Sequence, residues 1–458
     1  MRKSIVSACI FLSVMSCSTK SDQPAADYQP KEVRLITVDP GHFHAALVQK
    51  TGFENVDSTV HVYAPDGPDL KLHLTRIDGF NTRSENPTNW NEQVYTGPDF
   101  FEKMIEERKG NVVVLSGNNQ KKTEYILGSL KNQLNVLADK PMVIDKKGFH
   151  QLKEAFKVAA ANNLLLYDIM TERFEITTML QRELSMLSEV FGRLEKGTPQ
   201  NPAITKESIH HFYKYVSGSV LTRPAWFLDA SQQGEGIVDV MTHLVDLVQW
   251  ECFPEQSVDT TDISINTARR WSTDMGLSQF KAITKLDAFP DYLKGNVEGD
   301  TLLKIFCNGE INYKIRGVNA KTSVIWKYEA PEGTGDTHYS IMRGTKANLV
   351  IRQDKEQQFK PTLYIEPVGK NADYENVLFG QMKSVQEKFP GVELKKSAKG
   401  WEVIIPEKYK EGHEAHFGRV MEKFLEYLKA DSMPAWEVPN MITKYYTTTQ
   451  GLEVSLKK

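Results

Sequence analysis

One loop of the sequence combines an acid, a glycine and two histidines directly after an apolar, β-branched segment that predicts a buried strand. The loop reads Val38-Asp-Pro-Gly-His-Phe-His44, where a dinucleotide fingerprint would read G-x-G-x-x-G. Gly41 keeps the position at which a pyrophosphate approaches the backbone, and the N–H groups at the start of a following helix can bind phosphate. Imidazole and carboxylate are also ligands of Zn²⁺ and related ions, so His42, His44 and Asp39 form an alternative metal site.

A second group of chemically capable residues lies in the mostly apolar stretch from Gly236 to Trp250, which we interpret as a helix. Asp239, His243 and Asp246 follow the spacing i, i+4, i+7, and they therefore share one helix face. Burying a histidine between two acids is costly unless the groups pair or take part in chemistry. A histidine that titrates near neutral pH suits general acid–base catalysis, and an acid one turn away can orient it. The alternative is a buried polar network that satisfies itself.

A third signal is the end of a predicted strand in Val136-Leu-Ala-Asp-Lys-Pro-Met142. Pro141 stiffens the turn and favours extended backbone geometry at Lys140. A lysine held at a strand end over a cleft can donate a hydrogen bond to a hydroxyl group and favour its alkoxide. The alternative interpretation of this segment is an ordinary surface turn.

The elements that must position these residues alternate between strand and helix in the first half of the chain. This alternation predicts βαβ units, and hence a Rossmann-like α/β domain with a doubly wound parallel sheet over residues 32–168. Strands are predicted at 33–38, 59–63, 111–115, 134–137 and 164–167, and helices at 100–108, 121–131 and 148–162. Residues 66–98 fit no regular element and are predicted to form a long loop.

The second half of the chain, residues 169–458, predicts an α+β domain with a large, open and mostly antiparallel sheet, because few helices separate its strands. Strands are predicted at 209–217, 260–270, 280–289, 301–307, 311–316, 322–328 and 347–351. Besides the helix at 236–250, helices are predicted at 412–428 and 439–457. Residues from about 360 onwards are interpreted as an added C-terminal region.

The N-terminus predicts export from the cytoplasm. A positively charged start precedes an apolar segment that is too short to span a bilayer. The ending Val14-Met-Ser-Cys17 is similar to a bacterial lipoprotein box, so residues 1–17 are predicted to be a signal peptide with a lipidated Cys17. The polar residues 18–31 would form a flexible tether. The protein is thus expected to be lipid-anchored in the bacterial cell envelope, on the periplasmic or outer-membrane face, and the alternative is a plain secretory signal.

The composition limits the classes of protein that the chain can belong to. Hydrophobic residues make up 40% of the 458 residues and charged residues 25%, which is ordinary for a globular protein. The net charge of -3 argues against nucleic-acid binding. The four cysteines are too few for a disulfide scaffold. Besides the anchored Cys17, export would leave Cys252 and Cys307, which are either one disulfide or two buried thiols.

Together these signals resemble the Gfo/Idh/MocA family of nicotinamide-dependent sugar oxidoreductases. The family carries a Glu-Lys-Pro motif after its fourth strand, matched here by Asp139-Lys-Pro141. It also carries a D-x-x-x-H motif on a helix of its second domain, matched by Asp239 and His243. The resemblance covers about residues 32–355 and implies a Rossmann domain followed by an α/β domain on an open antiparallel sheet. Two further segments are similar to family segments near the cleft, namely Thr171–Phe174 and Trp226–Gly236.

The resemblance also implies a role for each of these residues. Lys140 would stabilise or polarise the reacting hydroxyl group, and His243, assisted by Asp239, would remove its proton while hydride passes to NAD or NADP. The resemblance assigns cofactor binding to two loops and a strand end: Gly41, His42, Phe43, His44, Ser116, Gly117, Asn118, Asp139 and Lys140. It assigns substrate binding to Lys140, Arg173, Trp226, Asp239 and His243, and it assigns no metal.

Export constrains the mechanism, because free NAD is expected to be scarce outside the cytoplasm. A tightly bound cofactor would favour a redox-neutral reaction on a sugar or glycoside through a keto-sugar, with or without cleavage of the glycosidic bond. The alternative is a non-redox carbohydrate lyase or hydrolase on the same scaffold, dependent on a metal at His42 and His44, or a binding lipoprotein. The open sheet would allow a homo-oligomer to form, and the choice between NAD and NADP stays open.

Overall fold

The parallel strands of the N-terminal half form one sheet in the computed structural model, which describes residues 32–216, 219–369 and 372–457. Its strands are β1 (Leu35–Val38), β2 (Thr59–Ala64), β3 (Asn91–Thr96), β4 (Val112–Leu115), β5 (Asn135–Asp139) and β6 (Leu166–Ile169). All their pairings are parallel, in the order β3-β2-β1-β4-β5-β6. This strand order is that of dinucleotide-binding folds, and it confirms the predicted Rossmann-like sheet. The predicted signal peptide, lipidated Cys17 and tether lie outside the described residues.

Helices connect these strands. They are α1 (His44–Leu47), α2 (Pro68–Thr82), α3 (Phe100–Glu107), α4 (Lys122–Lys131) and α5 (Lys146–Ala161). Helix α5 begins two residues before its predicted start, because the Asp145 carboxylate accepts a hydrogen bond from Gly148 N at 2.6 Å and caps the helix. The strands β1, β4 and β6 are buried along their whole length, which is why continuous apolar runs identify them in the sequence.

The predicted long loop at 66–98 is wrong, because this segment contains α2 and β3. Helix α2 begins at Pro68, a residue that suits a first helical position, and it buries Leu70, His73 and Ile77. The apolar periodicity of this helix is weak in the sequence, because one of its buried residues is a histidine and polar residues lie between the buried ones. Strand β3 lies at the edge of the sheet beside β2, and most of its residues are exposed, so it lacks the apolar run that marks the other strands.

The second half of the chain contributes most of the strands. They are β7 (Ile204–Tyr213), β8 (Tyr215–Val216), β9 (Ser219–Val220), β10 (Ile263–Gly276), β11 (Val297–Glu298), β12 (Leu302–Ile315), β13 (Val318–Glu329), β14 (Thr337–Arg343), β15 (Ala347–Arg352), β16 (Thr362–Pro367), β17 (Glu393–Ser397) and β18 (Gly400–Ile404). Strands β8 and β9 pair with each other. The others form one sheet in the order β10-β12-β13-β7-β14-β15-β16-β18-β17, with β11 beside β12. Among the described pairings of this sheet only β13 and β7 are parallel, so the predicted large, mostly antiparallel sheet is confirmed.

Helices and short turns cover this second sheet. The helices are α6 (Ile176–Met186), α7 (Ala230–Gln233), α8 (Met241–Cys252), α9 (Leu277–Thr284), α10 (Tyr374–Lys388), α11 (His413–Ala430) and α12 (Glu437–Leu456). Short 3-10 turns lie at Thr171–Phe174, Ala225–Leu228, Thr260–Asp262, Asp291–Asn296 and Glu407–Tyr409. The strand predicted at 280–289 is wrong, because most of α9 occupies its first half. The strands predicted at 301–307 and 311–316 are one strand, β12, because both parts pair with β10.

The last two helices pack against the parallel sheet of the first half. Phe417 and Phe424 of α11 and Tyr445 of α12 belong to the same apolar core as the strands β1 to β6. Helix α12 also contacts α8 and β10, so the predicted added C-terminal region contributes to the packing of both sheets. The predicted boundary between residues 168 and 169 falls at the end of β6, and it stays a prediction.

Two further observations bear on the sequence analysis. Within the part of the chain that the structure describes, no helix combines the length and the apolar character needed to cross a membrane. Cys252 at the end of α8 and Cys307 in β12 are free thiols. Of the two interpretations left open for these cysteines, the unpaired state therefore holds in this structure.

Candidate active site

The loops that follow β1 and β4 meet where the strand order reverses, which is where doubly wound sheets bind ligands. The N–H of His42 donates to the carbonyl oxygen of Ser116 at 3.1 Å. A Cβ at Gly117 would overlap the carbonyl oxygen of Asp39, so only glycine permits this close approach. The side chain of Asn118 donates to a glutamine of α7 at 2.7 Å and thus links the loop to the second half of the chain. The structure therefore brings the predicted cofactor-binding loops together.

Lys140 follows β5 and reaches the second half of the chain. Its Nζ donates to Oδ1 of Asp239 at 2.6 Å, and Oδ2 of the same carboxylate accepts from Gln233 Nε2 at 3.0 Å. Both charged side chains are buried, and Lys140 keeps only 9% of its surface exposed. Burying a charge is costly unless a partner stands beside it, so the pair fixes the end of the parallel sheet against the turn before α8. The structure thus joins two residues that the sequence analysis placed in separate halves.

His243 lies in the first turn of α8 and keeps 9% of its surface exposed. Its Nδ1 is buried without a hydrogen-bond partner among the described residues. Burial, and then the positive charge of Lys140, lower the pKa of His243 to about 4. This pKa lies below the near-neutral value expected from the sequence, so the ring is neutral at neutral pH, and a neutral imidazole can accept a proton from a hydroxyl group.

The predicted common helix face of Asp239, His243 and Asp246 needs a correction. Helix α8 begins at Met241, and Asp239 lies in the turn that precedes it. The carboxylate of Asp239 accepts a hydrogen bond from Lys140 and therefore orients the lysine. The predicted role of Asp239 was different, namely to assist His243. Asp246 belongs to a different group of residues, deeper in the protein.

Arg173 also belongs to that deeper group, which corrects its predicted contact with substrate. Its Nε and Nη2 donate to the two carboxylate oxygens of Asp246, each at 2.7 Å, and its Nη1 donates to Glu437 at 3.0 Å. The Nζ of Lys444 lies 2.9 Å from Oδ1 of Asp246. All four side chains are buried, so every nitrogen of the guanidinium is used inside the protein. We therefore assign Arg173 to a structural ion network. No local sequence pattern connects Arg173 to the members of this network on α12.

A second polar group collects around Asp139, the last residue of β5. Oδ2 of Asp139 lies 2.9 Å from His44 Nδ1 and 3.6 Å from His42 Nδ1. Ser116 Oγ donates to the same oxygen at 3.0 Å. The metal-binding atoms of the two histidines and the aspartate lie within 4.8 Å of one another. In the alternative metal interpretation the acid was Asp39, and the structure offers Asp139 in its place.

Trp226 closes one side of the β1 loop. Its Nε1 donates to Oδ2 of Asp69 at 2.7 Å, and its ring lies 2.9 Å from the position that a Cβ of Gly41 would take. The ring therefore covers the glycine at which a phosphate would approach the loop. Burial, and then the nearby Asp69 of α2, raise the pKa of Asp39 in the loop to about 6.

Two cavities open on this crevice. The larger has a volume of about 310 Å³ and is bordered by polar and aromatic side chains that include Gln233, Asp239, Phe212, Phe227 and Trp326. The second has a volume of about 290 Å³ and is bordered by residues that include Gly41, His42, Phe43, Arg76 and Arg223. The first thus contains the partner of Lys140, and the second contains the predicted cofactor loop.

Two residues at this site, His413 and Lys122, were not predicted from the sequence. The Nδ1 of His413 on α11 lies 3.3 Å from Oε1 of Glu172, and its ring centre lies 6.1 Å from that of His44. Lys122 of α4 is buried and donates from Nζ to the carbonyl oxygen of Asp139 at 3.0 Å. A charged residue at the start of a partly apolar helix could have pointed to Lys122. His413 approaches the site only through the packing of α11, for which the sequence carries no local signal, whereas its partner Glu172 lies in the Thr171–Phe174 segment that the resemblance placed near the cleft.

Solved structures share this fold. Levoglucosan dehydrogenase, in complex with NADH and levoglucosan, has a TM-score of 0.59 at 11% identity, covering 93% of this chain and 97% of its own. Biliverdin reductase from Synechocystis sp. PCC 6803, in complex with biliverdin and NADP⁺, has a TM-score of 0.56 at 10% identity, covering 92% and 99%. At such low identity the likeness shows the fold alone. What these structures share with the chain is a Rossmann-like parallel sheet followed by a large, mostly antiparallel sheet.

Closer matches place the chain in a family. A crystal structure described as a "putative oxidoreductase" from Parabacteroides merdae is 58% identical, covers 93% of this chain and 98% of its own, and has a TM-score of 0.91. Residues 180–456 match the family described as "Putative oxidoreductase C terminal domain", and the chain belongs to this family. The predicted resemblance to Gfo/Idh/MocA oxidoreductases is thereby confirmed. No curated protein matches the chain.

Proposed function

We propose that this oxidoreductase uses NAD or NADP to move hydride to or from a hydroxyl-bearing carbon of a sugar or glycoside. The observation that carries the proposal is the 2.6 Å contact between Lys140 Nζ and Asp239 Oδ1, with His243 close enough for the lysine charge to lower its pKa. Oxidation of an alcohol needs one group that stabilises the oxygen and one that takes its proton. An ammonium group and a neutral imidazole at one crevice supply these two groups.

The residues around the strand ends fit a nicotinamide cofactor. Gly41 has no side chain at the point where a phosphate would approach, Gly117 lets the two loops pack closely, and Ser116 and Asn118 place polar groups beside them. When bound there, the cofactor supplies the acceptor or donor of hydride. Trp226 covers Gly41 with side-chain atoms alone, so its ring would have to move to admit the cofactor phosphates.

The residues of the crevice have distinct parts in the proposed reaction. Lys140 would donate a hydrogen bond to the reacting hydroxyl oxygen and stabilise negative charge on it. Asp239 orients the ammonium group, and Gln233 in turn orients Asp239. His243 would accept the hydroxyl proton, which agrees with its neutral ring and its buried Nδ1 without a partner. In the reverse direction His243 would return this proton.

A sugar or glycoside suits the larger cavity. Its border combines Phe212, Phe227 and Trp326 with the polar Gln233 and Asp239. Aromatic walls with few polar groups are typical of sites for small organic molecules, and a sugar offers both C–H faces and hydroxyl edges to such walls. Levoglucosan dehydrogenase, which shares the fold, is known in complexes with levoglucosan and with L-sorbose, and this supports a sugar substrate here.

We further propose that the enzyme works in the bacterial cell envelope, anchored through a lipid on Cys17. The support is the pattern of residues 1–17. In that compartment a cofactor that stays bound favours a redox-neutral reaction. A sugar carbon would lose hydride while its hydroxyl proton passes to His243, and the new carbonyl would acidify the neighbouring C–H. Loss of that C–H proton would expel the glycosidic oxygen, which would leave protonated as an alcohol, and water would add across the resulting double bond. Return of the hydride to the keto carbon and of the proton on His243 to its oxygen would restore the hydroxyl group.

Two measurements on the purified protein test this function. Denaturation followed by mass spectrometry identifies a bound dinucleotide, and incubation with sugars and glycosides, with NAD or NADP added, reports keto-sugar or cleaved product. We expect a dinucleotide to bind and product to form with the wild-type protein and with His150→Ala, which alters an exposed histidine of α5. Lys140→Met should form no product. A protein that neither binds NAD(P) nor alters any sugar would contradict the proposal.

A further inference from the structure

We propose that His42, His44 and Asp139 form a site for one divalent transition-metal ion of the zinc class. His42 lies on the loop between β1 and α1, His44 is the first residue of α1, and Asp139 is the last residue of β5. The site shares the β1 loop and Ser116 with the proposed cofactor site, but the proposal is argued from these three side chains and their surroundings.

The distances between the three side chains match a metal site. Two ligands of a tetrahedral zinc, each at about 2.0–2.1 Å from the metal, lie about 3.3 Å apart. Oδ2 of Asp139 lies 2.9 Å from His44 Nδ1 and 3.6 Å from His42 Nδ1, and all three binding atoms lie within 4.8 Å of one another. Small side-chain movements would therefore bring all three to bonding distance around one ion. Two imidazoles and one carboxylate are a donor set that first-row transition metals prefer.

The carboxylate of Asp139 is held but not neutralised by the protein. Two lysines stand near it, yet Lys122 donates to its backbone carbonyl at 3.0 Å and Lys140 donates to Asp239 at 2.6 Å. The Oδ1 atom of Asp139 is buried and has no partner among the described residues. An unpaired carboxylate oxygen is costly to bury, and a cation bound to this group would remove the cost.

The site also has an outer partner and a route for entry. Ser116 Oγ donates to Asp139 Oδ2 at 3.0 Å, a contact of the kind that orients metal ligands from outside. His42 is partly exposed and borders the 290 Å³ cavity, through which an ion can arrive. Three protein ligands leave one position of a tetrahedral ion free, as in catalytic zinc sites. We infer that this position takes water or a hydroxyl group of a polyhydroxy compound.

The test uses the full protein, stripped with a chelator and then titrated with Co²⁺ alone and with Zn²⁺ alone. Calorimetry gives the stoichiometry, and the absorption of Co²⁺ reports its coordination. We expect one Co²⁺ per chain with a tetrahedral spectrum, displaced by Zn²⁺. His42→Ala should weaken binding by about 100-fold or more. The matched control His150→Ala, on an exposed face of α5, should bind as the wild type does.

Absence of stoichiometric binding in the wild type, or equal affinity in a folded His42→Ala protein, would overturn the metal site. If His42→Ala does not fold, X-ray absorption of the zinc-loaded wild type decides, because two imidazole ligands support the proposal and none overturns it. Dinucleotide release and sugar turnover, measured on the same metal-free protein, keep the two proposals apart. Turnover without metal binding removes only the metal site, and metal binding without any NAD(P) or sugar chemistry removes only the proposed function.

Discussion

Helix α8 carries two buried ionisable residues one turn apart, and their surroundings differ in a way that separates structure from chemistry. Asp246 has both carboxylate oxygens occupied by Arg173 and Lys444, at 2.7 to 2.9 Å. His243 has a buried Nδ1 without a partner and stands near Lys140. Folded proteins satisfy nearly all of their buried polar atoms. Of these two residues, His243 is the one with a buried polar atom left unsatisfied, and it is therefore the candidate for catalysis.

The ion network around Asp246 has a structural role, because it connects distant parts of the chain. Lys444 of α12 lies 2.5 Å from Oδ2 of Asp168 in β6, and the hydroxyl of Tyr445 donates to the same oxygen at 3.0 Å. Arg173 joins Asp246 of α8 to α12. The network thus ties the C-terminal helix to the parallel sheet and to the helix that carries His243. We expect it to contribute to stability and to hold the crevice in shape.

The largest expected effect is on activity, through His243. His243→Gln removes the proton acceptor while keeping a side chain of similar size, so kcat should fall about 10²- to 10⁴-fold. The free energy of unfolding of the same variant, measured with denaturant, should change by less than about 1 kcal/mol, because no hydrogen bond to the ring nitrogen Nδ1 is lost. Turnover assays on a sugar that the wild-type protein accepts provide the measurement. Near-normal rates would remove His243 from the mechanism.

A large effect on stability is expected at Asp246. Asp246→Asn leaves the buried charges of Arg173 and Lys444 without their carboxylate, which should cost about 3–5 kcal/mol of unfolding free energy. The matched control is Lys346→Ala, which breaks an exposed ion pair with Glu189 and should cost less than about 1 kcal/mol. Urea unfolding measures both. If Asp246→Asn is as stable as the control, the network has no such role.

Lowering the pH should reduce the stability of the folded protein through His243. Burial, and then Lys140, lower the pKa of His243 from 6.5 to about 4. Between these pH values the unfolded chain binds a proton that the folded protein does not, so this contribution to stability is complete above pH 6.5 and lost towards about pH 4. The shift corresponds to ~3 kcal/mol. Between pH 6.5 and about pH 4, the free energy of unfolding should fall more steeply with decreasing pH for the wild type than for His243→Gln. Equal slopes would contradict the lowered pKa of His243.

A second unsatisfied histidine sharpens the comparison. His73 of α2 is buried with neither ring nitrogen hydrogen-bonded in the described structure, and burial, with a smaller effect of Arg76, lowers its pKa to about 3. It belongs to the buried stripe of α2, and its shifted pKa involves none of Lys140, Asp239 and His243, so we expect it to have no part in catalysis. His73→Leu should stabilise the protein by about 1–2 kcal/mol, because two unpaired polar atoms leave the core. Thermal unfolding measures this gain in stability. A loss of turnover in His73→Leu would contradict the expectation and show that this buried histidine also takes part in catalysis.

Much of the fold follows from local pattern, and the exceptions have physical reasons. The apolar runs of β1, β4 and β6 predict buried parallel strands, because such strands are covered on both sides. Strand β3 is an exposed edge strand, and α2 places a histidine in its buried stripe, so neither carries a clear apolar period. The segment 280–289 is apolar and β-branched enough to predict a strand, yet its first half packs as α9.

The site could be predicted only in part, for a related reason. Lys140, Asp239 and His243 stand out because ionisable residues lie next to strand ends or on apolar segments, and the structure brings Lys140 to the other two. The resemblance assigned Arg173 to substrate, whereas its actual partners, Asp246 of α8 and Glu437 of α12, lie far away in sequence. His413 reaches the crevice only because α11 packs against the first half of the chain. Such residues become visible only when long-range packing is known.

A double-mutant cycle with Lys140→Met and His243→Gln tests the central claim most directly, namely that a lysine of the parallel sheet and a histidine of α8 act on one hydroxyl group. The quantity to measure is kcat/KM for a sugar that the wild-type protein oxidises. If both side chains serve the same transition state, the double variant should be about as slow as the slower single variant. Losses that multiply in full would mean that the two residues act independently, and they would contradict this account.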